Sequence, residues 1–259
     1  MTIPAKAKDR IAKGIKKFQP IIAKAHASDI NESDTVTIIT DMLCDIFGYD
    51  KYDNVTSEFA IKKTYCDLAI KLKDKDQPVL LIECKAIGIS LKDDHVRQAT
   101  NYAADSGIEW VVLTNGVYWR IYKILFTKPI EKQLVYEFNF ADLNPRKDSD
   151  IEMMYYLCIE AFMKASTNAL EMLHEQMKIL NKFVLGQLLL TDASVAAVRR
   201  VLRSLYSDIK VSPEEIYSIL YNDVLKREVL DSDQAVEAKK AIAKAERKQQ
   251  NAKAKKEEI

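Results

Sequence analysis

Three charged residues are spaced so that two carboxylates and one ammonium can share a site. Glu83 and Lys85 end the run Val79–Lys85, which begins with apolar residues. Because successive side chains of a strand alternate between its faces, Glu83 and Lys85 project on the same side. Asp67 belongs to an earlier strand, and a turn centred near Lys75 places it opposite Glu83. The spacing therefore predicts two carboxylates and a lysine at one end of a central strand.

These residues suit the hydrolysis of a phosphodiester by a bound metal ion. Facing carboxylates repel each other, and a divalent cation reverses that effect. Oxygen ligands favour Mg²⁺ or Mn²⁺, so we expect Asp67, Glu83 and the backbone carbonyl of Cys84 to bind the metal. Lys85 would orient or deprotonate the attacking water, or neutralise the pentacovalent transition state. Glu32 would bind a second metal or a metal-bound water, although a favourable position at the start of a helix explains it equally well.

The composition is that of a globular protein with a solvated surface. The chain has 259 residues and a formal net charge of +1, which argues against a uniformly basic nucleic-acid-binding surface but not against a local patch. We expect a cytoplasmic protein that does not enter a membrane, because no apolar run approaches about 20 residues and lysines interrupt the N-terminus. The four cysteines lack CxxC spacing and are expected to be buried, reduced thiols.

Residues 1–48 predict two helices. Residues 1–27 are an amphipathic helix, which we expect to break near Pro20. Its lysines form either a solvated face or a contact for phosphate. A second helix follows the capping residues at 31–34 and ends at Gly48, and Glu32 lies in its first turn.

Strands and one helix fill the region that follows. The alternation predicts a meander of strands at 55–61, 65–71 and 79–85, a helix at 91–104, and further strands at 109–114, 118–126 and 133–140. Asn115-Gly116 is typical of a type I′ hairpin turn. Trp110 and Trp119 are expected to pack in the sheet. Residues 144–147 then predict a domain boundary.

The last part of the chain has helical periodicity throughout. Residues 150–230 predict a helical region, in which Ser212, Pro213 and Glu215 form the start of a helix. Residues 231–259 predict a charged tail that is helical or disordered. The expected fold class is α/β, with a mixed sheet flanked by helices and a C-terminal all-α region.

The ordered set of motifs resembles the PD-(D/E)xK nuclease superfamily, and more closely the N-terminal nuclease domain of type I restriction enzyme R subunits. The resemblance spans residues 28–140, within a nuclease-like domain assigned to 28–145. The motifs that carry it are Tyr65–Ile70, Ile82–Ala86, the QxxxY motif Gln98–Tyr102 and the run Trp110–Trp119.

The resemblance implies a restriction-endonuclease-like fold and a Mg²⁺-dependent DNA endonuclease for restriction, defence or DNA processing. Asp67, Glu83, Lys85 and Glu32 would be catalytic, and Gln98 and Tyr102 would support the site or contact DNA. Spacing alone fits equally well an ordinary helix edge on which Tyr102 is half buried. His95, on the same helix, matches no motif and is expected to be a surface or capping residue.

The chain also departs from the R subunit pattern. It has no Gly-x-x-x-x-Gly-Lys-Ser/Thr phosphate loop, so it carries no translocating motor. Residues 150–259 match nothing in the family, and their role stays open between dimerisation, docking to a partner subunit and positioning of DNA. Two alternatives stay open: a catalytically inactive nuclease fold that binds DNA, and a protein whose helices recruit a partner.

Overall fold

The computed structural model of the protein describes residues 2–61, 64–163, 169–206, 208 and 210–257. Contacts divide the chain into two units, residues 1–174 and 175–259. The first unit contains α1 (Ala5–Ala27), α2 (Glu32–Asp45), β1 (Val55–Ile61), β2 (Thr64–Ile70), β3 (Leu80–Cys84), α3 (Asp93–Ser106), β4 (Trp110–Thr114), β5 (Tyr118–Leu125), β6 (Glu131–Asn139), α4 (Asp148–Tyr155) and α5 (Ile159–Met163). The boundary between the units falls within α6 (Ala169–Ile179). The second unit contains α7 (Lys182–Leu189), α8 (Asp192–Leu205), α9 (Pro213–Ile219), a π-helical turn (Leu220–Val224), α10 (Arg227–Asp231) and α11 (Asp233–Glu257).

A six-stranded mixed sheet organises the described part of the first unit. Its strands follow one another in chain order from β1 to β6. Neighbouring strands are antiparallel, except that β3 and β4 are parallel and are connected through α3. Each residue of β3 is buried, as expected for an apolar strand that is covered on both faces. The mixed sheet, its flanking helices and the helical C-terminal region confirm the predicted fold class.

Each face of the sheet buries its own apolar cluster. The larger cluster packs against α1, α2, α4 and α5, and includes Ile11, Leu43, Leu68, Ile82, Val112 and Tyr155. The smaller cluster lies under α3 and includes Ala69, Leu81, Val96, Ala99, Tyr102 and Val111. Adjacent residues such as Leu81 and Ile82 belong to different clusters, as strand alternation requires. The two buried tryptophans, Trp110 and Trp119, confirm the prediction that they pack in the sheet.

The break predicted near Pro20 is wrong, because α1 is continuous from Ala5 to Ala27. Phe18 and Ile22 are buried on either side of the proline, so tertiary packing holds both turns against the same core. The Gln19 amide also donates to three backbone carbonyls, those of Phe140, Ala141 and Leu143. These contacts offset the loss of the backbone hydrogen bond that a proline removes from a helix interior.

The boundary predicted at 144–147 does not separate the two units, since the first unit continues to His174. Tyr155 and Cys158 are fully buried in the larger cluster. Tyr49 donates to the carbonyl of Leu157 at 2.8 Å. The predicted segments 1–27 and 28–145 therefore form one compact unit together with α4 and α5.

The second unit is helical, as residues 150–230 predicted. Its core includes Val195, Ile216, Val229 and Leu230, all of which are buried. Ser212 caps α9 together with Glu215, which confirms the predicted capping box. The predicted charged tail is helical from 233 to 257.

The four cysteines are free, and three of them are buried, whereas Cys44 is partly exposed. No helix among the described residues combines the length and the apolar character needed to cross a bilayer.

Arg10 connects three elements of the first unit. Its guanidinium forms two hydrogen bonds of 2.7 Å with the carboxylate of Glu160 on α5. It also donates to the carbonyl of Ile46, just after α2, at 2.9 Å. Burial raises the pKa of Glu160, but the hydrogen bonds and charge of Arg10 outweigh this effect and hold that pKa below its usual value.

We predict that Arg10→Met lowers the free energy of unfolding by about 2 kcal/mol, because Glu160 and the Ile46 carbonyl lose their donor. This contribution is present at neutral pH. It decreases as the pH falls below the usual Glu pKa of 4.5, since the folded-state pKa of Glu160 is depressed. Urea denaturation at pH 7 and pH 3 measures both effects.

Lys8→Met is the matched control. Lys8 and Asp148 also form an ion pair between α1 and α4, but their side chains are 47% and 81% exposed. We expect its removal to change stability by less than about 1 kcal/mol. Equal losses in the two variants would contradict the role assigned to Arg10.

Candidate active site

The two central strands separate where the predicted carboxylates lie. β2 pairs with β3 at Leu68–Ile82, Ala69–Leu81 and Ile70–Leu80. Continued by one residue, this register brings Asp67 level with Glu83, as a turn centred near Lys75 predicts. The Asp67 carboxylate accepts a hydrogen bond from the backbone N–H of Cys84 at 2.7 Å. At the end of the ladder, the Asp67 side chain thus takes the place of the β2 backbone as the hydrogen-bond acceptor for β3.

Lys85 lies between two carboxylates from different elements. Its ammonium is 2.8 Å from Glu83 and 3.6 Å from Glu32. Glu83 is 7% exposed, and Lys85 is partly buried. Asn31 caps α2 by accepting from the N–H of Asp34, which sets the position of Glu32 in the first turn. The structure therefore brings Glu32 to Lys85, a contact that spacing alone leaves open.

Negative charge at the site exceeds the positive charge that faces it. Burial raises the pKa of Glu83, and the charge of Asp67 adds to this effect. Burial likewise raises the pKa of Asp67, with smaller contributions from the charges of Glu32 and Glu58. Burial lowers the pKa of Lys85, but its hydrogen bond to Glu83 and the charges of the neighbouring carboxylates outweigh burial and raise that pKa overall. Lys85 is consequently a permanent cation at neutral pH.

The donor atoms fit a hard divalent cation held by few protein ligands. Asp67 and Glu83 offer carboxylate oxygens, which suit Mg²⁺ or Mn²⁺. Among the described residues, the carboxylates of Glu32, Asp67 and Glu83 do not all lie within 4.8 Å of one another. In this geometry Glu32 contacts Lys85 at 3.6 Å, and its binding of a second metal or of a metal-bound water stays a prediction.

Gln98 and Tyr102 meet each other on α3. The Gln98 amide donates to the Tyr102 hydroxyl, as expected for residues four apart on a helix. Tyr102 is 8% exposed and belongs to the apolar cluster under α3, so it is more buried than the half-buried position expected from spacing. His95 accepts from the N–H of Lys92, which confirms its predicted capping role.

Asn115 fastens the loop that follows Lys85. Its amide donates to the carbonyls of Ile87 and Ile89 at 3.1 and 2.9 Å. Its carboxamide oxygen accepts from the N–H groups of Val117 and Tyr118. The Asn-Gly pair signals a turn in the sequence, but a link to residues 87–89 has no local signal.

The type I′ turn predicted at Asn115-Gly116 is wrong. Asn115 donates its backbone N–H to the carbonyl of Tyr118, so Gly116 and Val117 are the central residues. Gly116 has a φ of 83°, whereas Val117 is not among the residues with positive φ. A positive φ at the first central residue alone is the pattern of a type II′ turn. The buried side chain of Asn115, engaged with both loops, moves the turn by one residue.

Comparison with known proteins identifies part of the first unit. Residues 38–138 match the family model for the type I restriction enzyme R protein N terminus. The chain therefore carries a domain like the N terminus of that R protein. This R protein-like domain contains Asp67, Glu83, Lys85, Gln98 and Tyr102, and its span lies within the predicted 28–140. Glu32 precedes the match. Searches of curated proteins and of solved structures gave no significant match.

We predict that Asn115→Asp destabilises the protein by about 2 kcal/mol, because a carboxylate oxygen then faces the carbonyls of Ile87 and Ile89 where an N–H₂ group donated. Asn144→Asp is the matched control. The exposed side chain of Asn144 serves as an acceptor for the N–H of Arg146, which aspartate preserves. Denaturant unfolding of both variants should separate them, and similar losses would contradict the bracing role of Asn115.

Proposed function

We propose that the protein is a metal-dependent DNA endonuclease that hydrolyses phosphodiester bonds in restriction, defence or DNA processing. The observation that carries this proposal is the meeting of Asp67, Glu83 and Lys85 at the end of β3, inside a domain of the R protein N-terminal type. The excess of negative charge supports a cation site, and the oxygen donors favour Mg²⁺ or Mn²⁺.

Each side chain of the site has a role in the proposed hydrolysis. Asp67, Glu83 and the Cys84 carbonyl hold the metal, which supplies a Lewis acid and lowers the pKa of water. The Lys85 ammonium, 2.8 Å from Glu83, stabilises charge on the phosphate oxygens, or Lys85 orients or deprotonates the attacking water. Glu32 positions Lys85 through their 3.6 Å contact. Tyr102, which packs between α3 and the sheet, supports the site together with Gln98, which donates to the Tyr102 hydroxyl.

The C-terminal helices are proposed to contact a second copy of the chain or another subunit. Several of their apolar side chains are exposed, among them Ile179, Leu180, Leu185, Val201 and Leu205. Exposed apolar surface of this kind is typical of contact regions.

Lys85→Ala tests the catalytic proposal directly. We expect the rate at which supercoiled plasmid is nicked in Mg²⁺ or Mn²⁺ to fall by at least about 100-fold, because a preorganised charge is lost from the transition state. Binding of Mn²⁺ should be retained or strengthened, since the two carboxylates lose their competing cation.

The matched control is Lys75→Ala, in the exposed turn before β3. It changes the same charge away from the site and should cleave at the wild-type rate. Circular dichroism establishes that both variants are folded. Wild-type cleavage by Lys85→Ala would refute the assignment, and so would the absence of cleavage by the wild-type protein.

Asp67→Asn tests the metal site without requiring catalysis. Millimolar Mg²⁺ or Mn²⁺ should raise the thermal midpoint of the wild-type protein, because ligands that bind the folded state stabilise it. The variant should show no such rise. Asparagine keeps an acceptor for the Cys84 N–H, so the fold is expected to remain.

The metal-free proteins should also differ with pH. Because the folded-state pKa of Asp67 is raised above 3.8, ionisation of Asp67 destabilises the wild type as the pH rises through that pKa. The variant lacks this loss and should be at least as stable at pH 7. A metal-induced rise of equal size in both proteins would exclude Asp67 as a ligand.

A further inference from the structure

Glu58 has a backbone conformation that is uncommon within a strand. Its φ is 49°, and Asp29, in the loop after α1, is the other described residue besides glycine with a positive φ. Residues with a Cβ rarely adopt this left-handed conformation, because Cβ approaches the following carbonyl oxygen. Glu58 lies in the middle of β1, where no turn requires such a φ. Strain of this kind persists only where the surrounding structure imposes it.

The ladder between β1 and β2 is interrupted at this residue. Ser57 pairs with Leu68, and Phe59 pairs with Cys66. Glu58 and Asp67 face each other between these pairs, but they do not form a pair themselves. The register is the same on both sides, so no residue has been inserted. The interruption is a local rotation of the two strands rather than a bulge.

Side-chain burial shows the same rotation. Residues two apart in a regular strand share a face of the sheet. Leu68 packs in the cluster of α1 and α2, but Cys66 packs in the cluster under α3. On β1, Val55 contacts the first cluster and Phe59 contacts the second. Both strands therefore turn over between these residues, at Glu58 and Asp67.

Asp67 lies at the turning point and reaches across to the next strand. Its carboxylate accepts from the N–H of Cys84 on β3, beyond the end of the β2–β3 ladder. Glu58 lies directly opposite Asp67 in the register of β1 and β2. The rotation opposite Asp67 thus accompanies the contact that places its carboxylate at the site.

We propose that Glu58 is a positioning residue, whose left-handed backbone turns β1 and β2 over and so holds the Asp67 carboxylate against the Cys84 N–H. The proposal rests on the proposed function for its consequence, because Asp67 is there a metal ligand. Glu58 acts through its backbone and does not itself bind the metal. A residue that accepts a positive φ preserves the arrangement, and a β-branched residue opposes it.

The test compares Glu58→Gly with Glu58→Val. Glycine adopts a positive φ without strain, so we expect the hydrogen exchange of the Cys84 amide in the metal-free protein to stay within about twofold of wild type. The dissociation constant for Mn²⁺, measured by calorimetry, should also stay within about twofold. Valine should accelerate the exchange and weaken Mn²⁺ binding, each by about tenfold or more.

Ala60→Val is the matched control. Ala60 is exposed on the same strand and pairs regularly with Tyr65. A β-branched residue suits that position, so both readouts should match those of wild type. If Glu58→Val does not fold, Glu58→Thr replaces it. Threonine is also β-branched, so it should likewise accelerate exchange of the Cys84 amide and weaken Mn²⁺ binding.

Two results would overturn the inference. Wild-type exchange and Mn²⁺ binding in folded Glu58→Val, or in the replacement Glu58→Thr, would show that the backbone of Glu58 does not position Asp67. Equal losses in the glycine and valine variants would assign the effect to the carboxylate instead. Asp67→Ala separates this inference from the proposed function. If Mn²⁺ binding does not depend on Asp67, the metal site fails, while exchange at Cys84 still decides the role of Glu58.

Discussion

Negative charge held at the end of a buried strand is the constraint on which the site depends. β3 is covered on both faces, yet it ends in Glu83 and Lys85, and Asp67 joins them from β2. Removing carboxylates from water costs free energy unless cations or donors compensate them. Lys85 compensates part of that charge. Burial raises the pKa values of Asp67 and Glu83, with smaller contributions from neighbouring carboxylates, and a divalent cation would balance their charge.

Three surrounding features hold these groups together. The ladder between β2 and β3 stops at Leu68, so the Asp67 side chain takes the N–H of Cys84. The capped start of α2 brings Glu32 to Lys85. Asn115 ties the loop after Lys85 to the hairpin between β4 and β5. Each feature replaces regular backbone pairing by a side-chain contact, which is how irregular backbone near a site keeps its hydrogen bonds satisfied.

The segment that matches the R protein N terminus depends on residues outside it. Residues 38–138 include the strands and α3, but Ile11 from α1 and Tyr155 from α4 are fully buried in the same core. Arg10 adds a charged link between α1 and α5. A core shared in this way means that the site is supported by a unit considerably larger than the matched segment.

Local patterns in the sequence determined most elements and the composition of the site. Alternation predicted the strands, capping residues predicted α2 and α9, and the spacing of Asp67, Glu83 and Lys85 predicted their common edge. These features depend on neighbours in the chain, and therefore leave a readable signal. The extension of the first unit beyond 145 had no such signal, because it depends on buried contacts between distant segments.

Tertiary structure decided the remaining features. Continuity of α1 through Pro20 depends on packing on both sides of the proline, which outweighs the local preference to break. The turn at Gly116 depends on the bonds of Asn115 to residues 87–89. The contact of Glu32 with Lys85 and the left-handed Glu58 opposite Asp67 likewise require the assembled sheet. Residue types thus determined which charges this site contains, and long-range packing decided how they face one another.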